Sequence, residues 1–384
     1  MSMRGTRAGA ARFAVLSIFF LTGFGFANWV VRIPAVQGNL DLSEGLLGLA
    51  LLGLAVGSLA AMPTIGGFVS RFGSRPVVWT TAIAFPVVLP LPSFAGGLAG
   101  LFIALFVMGM MHGGLDVAMN AQAVAVEKEY RRPIMSTFHA LFSLGGLVGA
   151  VVGGVVAELG VGVMTHLLGA AAVIAVGMFL ACRMLLPASA DVSESGAPAF
   201  ARPTKALLGL GIISFCVLVG EGAMADWTAV YLSGTLDTGA GFAAAGFAVF
   251  SLMMTIGRFT GDRLIARFGA KRLVRTGATV AAVGLGTSLA FGNEYAALVG
   301  FGCAGIGFSI IFPAALSAAG RSKDSAPGPA LAAVATAGYF GFLVGPPSIG
   351  FAAELLGLGG ALYIVVALSA LVAVLAKAVG DGAK

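Results

Sequence analysis

Apolar runs of roughly 20 residues, each long enough to cross the ~30 Å hydrocarbon core of a bilayer as a helix, recur twelve times along the chain. Their limits are 12–31, 46–69, 76–95, 98–126, 134–157, 161–186, 206–232, 241–260, 273–292, 295–319, 328–353 and 356–378. The pattern predicts an all-α membrane protein of twelve transmembrane helices. Connections are short except for Pro187–Lys205, PASADVSESGAPAFARPTK, whose Pro, Ser, Ala and mixed charge predict a flexible linker. The linker divides an N-terminal six-helix bundle, 1–186, from a C-terminal six-helix bundle, 206–384.

Polar residues inside these runs stand out against that background. Met108–Glu127, MGMMHGGLDVAMNAQAVAVE, carries His112, Asp116, Asn120 and Glu127 within an apolar stretch. At about 100° per residue the four share one helix face, spread over about 80°. A charge near the bilayer centre costs on the order of 2.5–3.5 kcal/mol, so this face turns to a bundle interior or a water-filled cavity. It reads either as a polar path for a solute or proton or as hydrogen bonding between helices.

Composition sharpens the class. The chain is 59% hydrophobic and 10% charged, with mean hydropathy +1.01, against about 25% charged in a soluble domain. Its 58 glycines fit close helix packing in lipid. The net charge of +6 gives no case for nucleic acid, because the basic residues are sorted by side. With both termini cytoplasmic, every Lys and Arg of the 22 except Arg32 falls on the cytoplasmic side. A multi-pass protein of a bacterial plasma (inner) membrane is expected. MSMRGTRAGAARF resembles the basic region of a signal peptide, but Asn28 and Arg32 follow without a cleavage site, so an uncleaved first span is expected. Cys182, Cys216 and Cys303 are scattered in apolar runs, which supports neither disulfide nor metal. No GxxxxGK[ST], HExxH or GxSxG site is present, so neither an enzyme nor a cofactor is expected.

The two halves repeat each other. GFANWVVRIPAV (25–36) lies against AMADWTAVYLSG (223–234), and RFGSRPVV (71–78) against RFGAKRLV (267–274). Val148, Gly149 and Ala157–Leu159 match Val344, Gly345 and Ala353–Leu355. Such a duplication predicts two pseudo-symmetric bundles about an axis along the membrane normal, with a binding site at midplane between them.

Here the chain resembles the major facilitator superfamily over essentially its whole length. GGFVSRFGSR (66–75) is similar to the loop after span two, with Ser70 in place of the family's Asp and Asp262 beside Arg263 as a substitute carboxylate in the second copy. The resemblance implies a cytoplasmic gate of Arg71, Arg75, Asp262, Arg263 and Arg267. GAVVGG (149–154) and GPPSIG (345–350) resemble the antiporter motif, and physically are glycine faces with Pro346 and Pro347 as a kink. The family's drug antiporters carry an Arg in span four, which this chain lacks. ANWVVR in span one, GGLDVAMNAQ in span four and FHALFSLGG in span five look most like the branch containing the fucose–proton symporter. That branch implies a carboxylate on span four, matched by Asp116, and one on span one, where Asn28 stands instead.

A proton-coupled carrier needs a titratable group inside its cavity, and the candidates are Asp116 first, then Glu221 and Asp226, with His112 and His139 as partners or relays. Glu221 is flanked by Gly220 and Gly222, which would let a substrate or another helix approach, and lies about 140° from Asp226 around its helix. Glu221 is therefore expected to face the cavity and Asp226 to pair elsewhere, with Arg32 as a partner that would close the outer side. Asn28 and Arg32 share a face, and Arg32 reads as an anion-attracting group or a gate, the gate being preferred. His139 joins Ser136 and Ser143 in a polar stripe, while His166, without polar company on its span, reads as interfacial. Asn28, Asn120 and Glu221 are candidate solute contacts, and Trp29, Trp227, Phe138, Phe142, Tyr339 and Phe340 could stack on a sugar ring or an aromatic drug. The expected function is proton-coupled transport of a small, polar, sugar-like solute by a monomer in the bilayer. The alternatives are a proton-driven exporter of drugs or metabolites, and a non-transporting receptor on the same fold.

Overall fold

A computed structural model describes residues 3–130, 134–190, 205–321 and 327–380. Most of the expected linker, and Arg131, Arg132, Arg202, Lys323 and Lys384 from the charge pattern, lie outside the described residues. The described chain is helical throughout, and eleven of its helices are long and apolar enough to cross a membrane. The expected twelfth, Tyr363–Val379, is an apolar helix of 17 residues or fewer. The backbone leaves the helical region at Gly357 (φ 69°, ψ 158°), which ends the preceding span there, and the Leu362 N–H donates to the Leu358 carbonyl at 3.0 Å, so the turn from Leu358 leads into this last span.

By contact density the chain divides into two compact units, Met1–Leu42 with Leu49–Ser195, and Ser43–Gly48 with Gly196–Lys384. The first half contributes α1 (Met3–Val30), α2 (Ile33–Asn39), α3 (Glu44–Phe72), α4 (Ser74–Val88), α5 (Leu98–Tyr130), α6 (Met135–Glu158) and α7 (Val163–Cys182). In this unit α1 packs most extensively along α6, and α4 runs beside α5. The α1–α6 contact depends on missing side chains. Gly145 lies against the carbonyl of Phe20, and Gly149, from the glycine motif, against that of Phe24. A Cβ at Gly145 would overlap the Phe20 backbone. Buried polar groups tie the unit together as well. Gln122 on α5 donates to Ser74 Oγ at 2.7 Å and accepts from the Leu186 N–H at 3.1 Å.

The second half contributes α8 (Lys205–Val230), α9 (Ala240–Phe268), α10 (Ala270–Phe291), α11 (Glu294–Phe308), α12 (Ile311–Gly320), α13 (Pro327–Ala361) and α14 (Tyr363–Leu375). Here α8 packs most extensively along α13, so the first and fifth spans pair within this unit as α1 and α6 do in the other. The duplicated RFG turn repeats at the level of dihedral angles. Gly73 has φ 77° and Gly269 φ 83°, each ending one span and opening the next. Only glycine adopts such positive φ without strain. The arginine before each turn lies over the phenylalanine between, Arg71 on Phe72 and Arg267 on Phe268, both at 5.2 Å from the ring centroid.

Gly145→Leu is therefore expected to lower stability by about 1–3 kcal/mol through overpacking, read as a drop in the thermal midpoint of the purified protein in detergent. Gly169→Ala on α7, where an added Cβ meets nothing within 4 Å, should leave the midpoint unchanged or slightly raised.

Candidate functional site

The polar face expected on α5 forms because nothing breaks that helix between Leu98 and Tyr130. Asn120 Nδ2 donates to the Asp116 carbonyl at 2.8 Å and to Asp116 Oδ1 at 3.1 Å, so amide and carboxylate are held one turn apart on the same side. One turn before Asp116, the His112 ring sits among aromatic rings from three other helices. Phe26 of α1 stacks on it at 5.4 Å and 25°, Phe85 of α4 lies at 5.7 Å and Phe142 of α6 at 6.4 Å. His112 Nδ1 is buried and has no hydrogen-bond partner. Glu127, expected on this face, leaves it. Its Oε2 accepts the N–H groups of Ile134 at 2.7 Å and Met135 at 2.9 Å, capping the start of α6.

On α6 the candidates separate. Phe142 is partly buried beside His112. Phe138 is fully buried against Phe19, with ring centroids 5.6 Å apart, so its ring belongs to packing within the unit and is closed to a solute in this structure. His139 meets the edge of Phe19 at 5.3 Å, and its carbonyl accepts a 3.4 Å hydrogen bond from Ser143 Oγ.

A second polar group is one that sequence reasoning divided wrongly. The backbone between α1 and α2 breaks at Val31 and Arg32, with a proline in the first turn of α2, where its missing N–H costs nothing. This break turns Arg32 toward α7. Its Nε donates to His166 Nδ1 at 2.7 Å and its terminal nitrogen to the Val161 carbonyl at 2.6 Å. Arginine has no acceptor, so His166 Nδ1 must be the unprotonated nitrogen and Nε2–H the donor to Asn28 Oδ1, 2.6 Å away. Asn28 Nδ2 in turn donates to the Phe24 carbonyl at 2.8 Å. His166 is thus a buried link rather than an interfacial residue, and Arg32 takes its partners inside its own unit rather than from Asp226. Asn28 and the neighbouring Trp29 are 0% and 1% exposed, which commits both to the interior. The signal for His166 could only have come from α7 meeting α1, which no single-helix period records.

In the second unit the structure brings together Glu221 and Arg258. Glu221 Oε2 lies 3.6 Å from an Arg258 terminal nitrogen, an ion pair between α8 and α9. Arg258 was counted with the loop cations, although it falls inside the apolar run 241–260, and that position was the available signal. The glycines flanking Glu221 serve packing rather than solute access, Gly220 against Phe308 and Gly222 against Phe342. Asp226 is partly buried. Trp227 is fully buried and its Nε1–H has no acceptor. Tyr339 lies with its ring 6.3 Å from Phe342, and Phe340 is 52% exposed. Of the expected gate residues, Arg71, Asp262, Arg263 and Arg267 are exposed and Arg75 partly buried.

Residues 15–321 match the family described as Major Facilitator Superfamily. Two curated relatives align over nearly the full length. An uncharacterised MFS-type transporter of Yersinia pestis is 36% identical over 363 residues, covering 94% of each chain. Membrane protein MosC of Rhizobium meliloti is 32% identical over 364 residues, 94% of this chain and 88% of its own. Among solved structures, a mutant of the nucleoside transporter NupG superposes with TM-score 0.78 at 14% identity, over 96% of this chain and 100% of its own. A bacterial homologue of the human lysosomal transporter Spinster, in an inward-facing and occupied conformation, superposes with TM-score 0.73 at 13% identity, over 96% and 95%.

His166→Phe removes what is, among the described residues, the only side-chain acceptor of the Arg32 guanidinium and should cost about 1.5–3 kcal/mol. In a double-mutant cycle on thermal unfolding, Arg32→Met in the His166→Phe background should recover part of that loss. Additive costs would dissolve the assigned link.

Proposed function

The chain belongs to the major facilitator superfamily, and from that premise we propose that this transporter moves a small polar, sugar-like solute by alternating access, driven by protons. The observation that carries the reading is the α5 cluster. Asp116 sits mid-span, held to Asn120 at 3.1 Å, one turn from a histidine walled by Phe26, Phe85 and Phe142. A carboxylate in an apolar span needs a reason to be there, because its charge is costly in hydrocarbon. Reversible protonation supplies one: the neutral acid crosses the apolar interior with less penalty than the anion.

Asp116 takes up and releases the proton in this reading. His112 and Asn120 set its surroundings and offer the solute polar contacts, with Phe142 as the apolar wall. Glu221 and Tyr339 serve the second half, and His139 lies along the same α6 side as Phe142. Trp29, Trp227, Asn28 and Phe138 act as supports for the helices rather than contacts. The working form is a monomer in a bacterial inner membrane with both termini cytoplasmic, in keeping with the placement of the basic residues. Arg71, Arg75 and Arg267, with Asp262 and Arg263, act at the cytoplasmic gate.

Asp116→Asn should abolish uptake driven by an inward proton gradient in liposomes while leaving counterflow of the same solute, since counterflow needs no net proton movement. The solute is chosen beforehand by a thermal-shift screen of sugars, organic acids and amino acids at two pH values. Gradient-driven uptake that persists at the wild-type rate in Asp116→Asn removes Asp116 from coupling.

A further inference from the structure

Away from the α5 cluster, the first unit holds a groove of about 630 Å³ lined by Arg75, Pro76, Trp79 and Thr80 of α4 and by Ala188 beyond α7. We propose that this groove binds the headgroup of an anionic phospholipid, with the phosphate at Arg75, Arg183 as a second cation, and the acyl chains along the outer faces of α4 and α7. Such a site is independent of the α5 chemistry, and it sets a lipid beside the turn where the gate arginines stand.

The walls of the groove are fixed by the fold. At the turn that ends α3 and opens α4, a Cβ on Gly73 would overlap the Ala188 backbone, so the segment after α7 lies directly against that turn. Gln122 of α5 holds both sides, donating to Ser74 Oγ at 2.7 Å and accepting from the Leu186 N–H at 3.1 Å. Ser74 precedes Arg75, and Leu186 stands two residues before Ala188. One buried amide therefore sets the spacing of the two walls.

The arginines carry charge without a protein counterion: among the described residues, neither Arg75 nor Arg183 forms an ion pair. Below them the surface turns apolar. On α7, Val176, Phe179, Leu180 and Arg183 follow the i, i+3, i+4, i+7 spacing of one helix face, and the three apolar members are exposed. On α4, Thr80, Ile83 and Val87 share a face by the same spacing, with Val87 exposed. The two helices meet where the Trp79 ring stands edge-on to Phe179, centroids 5.7 Å apart, and the Arg183 guanidinium lies 5.7 Å from the centre of that same Phe179 ring. Cation, aromatic pair and cation thus form one continuous patch across α4 and α7.

A cationic hollow above two apolar helix faces has the charge pattern of a phospholipid, phosphate above acyl chains, and basic pockets between spans on the cytoplasmic side suit anionic headgroups. A soluble anion would use the arginines and leave the apolar faces idle. A zwitterionic lipid brings a cation along with its phosphate, which a pair of guanidinium groups repels, so the net-negative lipid is favoured. Arginine and tryptophan are common at any membrane boundary, and what localises a ligand here is the hollow that Gln122 holds between them.

The test uses the full-length protein in detergent micelles and two lipids brominated on their acyl chains, phosphatidylglycerol and phosphatidylcholine. Bromine quenches indole fluorescence on contact. The other two tryptophans, Trp29 and Trp227, are buried, so the wild-type signal less that of Trp79→Phe reports the groove. Brominated phosphatidylglycerol should quench this component at a roughly 5–30-fold lower mole fraction than brominated phosphatidylcholine, the range for one or both arginines meeting a net anionic charge. Arg75→Gln/Arg183→Gln should bring the two lipids level, whereas Arg272→Gln/Arg275→Gln, which removes as many charges from α10, should keep the preference. Equal quenching of Trp79 by both lipids, or by neither, overturns the assignment. So does a preference that survives the loss of Arg75 and Arg183, or one that the α10 variant lowers as much. Inorganic phosphate, against chloride at equal ionic strength, should leave the quenching unchanged, and full competition would give the arginines to a soluble anion and remove the lipid. Thermal midpoints without added lipid check that each variant folds, and the wild-type contrast between the two lipids stands without any of them.

Discussion

Hydrocarbon offers no hydrogen bonds, so a polar group that this chain carries into a span is stabilised by a partner within the protein, and the buried His112 Nδ1 and Trp227 Nε1, which have none, are exceptions. Backbone groups are met by the helices themselves. Small hydroxyls return to their own helix, as Thr22 does to the Ile18 carbonyl, Thr81 to Val77, Thr228 to Met224 and Thr255 to Ser251, all within 2.8 Å. Larger polar groups must reach another element, and where they reach decides which helices are fastened. Arg32, His166 and Asn28 fasten α7 to α1, Gln122 fastens α5 to the start of α4 and the end of α7, and Glu127 fastens α5 to α6. Each of these links is also a reason why the charge or amide is tolerated at that position.

The duplicated scaffold separates what the halves share from what they do not. Both pair their first span with their fifth, both turn at a positive-φ glycine after RF, and both lay the arginine of that turn on the adjacent phenylalanine. The polar inventory inside the spans is not repeated. At the register that aligns Asn28 with Asp226, Glu221 stands opposite Gly23, and a Cβ at Gly23 would overlap the Phe142 carbonyl. At the register of the RFG turn, Asp116 stands opposite Phe312. A side chain in one copy therefore occupies space that backbone or aromatic ring fills in the other. The helices repeat because packing demands it, whereas the ionisable residues at these positions are not repeated.

What was legible in the sequence follows the same division. Span lengths, the long polar face of α5 and the internal repeat are properties of one helix or of the chain against itself, and apolar period and identity record them directly. The pairing of His112 with three phenylalanines, of Arg32 with His166 and of Glu221 with Arg258 depends on which helices touch and in what rotation. Single-helix periodicity is silent on that. Asp226 illustrates the limit: helical geometry sets its direction about 140° from that of Glu221, but no single-helix period says that Arg32 is already engaged on its own side. The twelfth span is legible because its apolar run is continuous from 356 to 378, whereas the backbone conformation that divides it from the eleventh at Gly357 is not revealed by composition.

The two ionisable clusters answer the cost of burial in different ways, and this bears on how such a molecule can move. Arg32 is held by neutral acceptors, an imidazole and a carbonyl, at 2.6–2.7 Å, so its charge is dispersed through short, directed bonds that must be broken together. Such a group resists rearrangement and suits the stationary part of a bundle. Glu221 and Arg258 instead set opposite charges 3.6 Å apart, so each lowers the cost of the other's burial and the pair fastens α8 to α9.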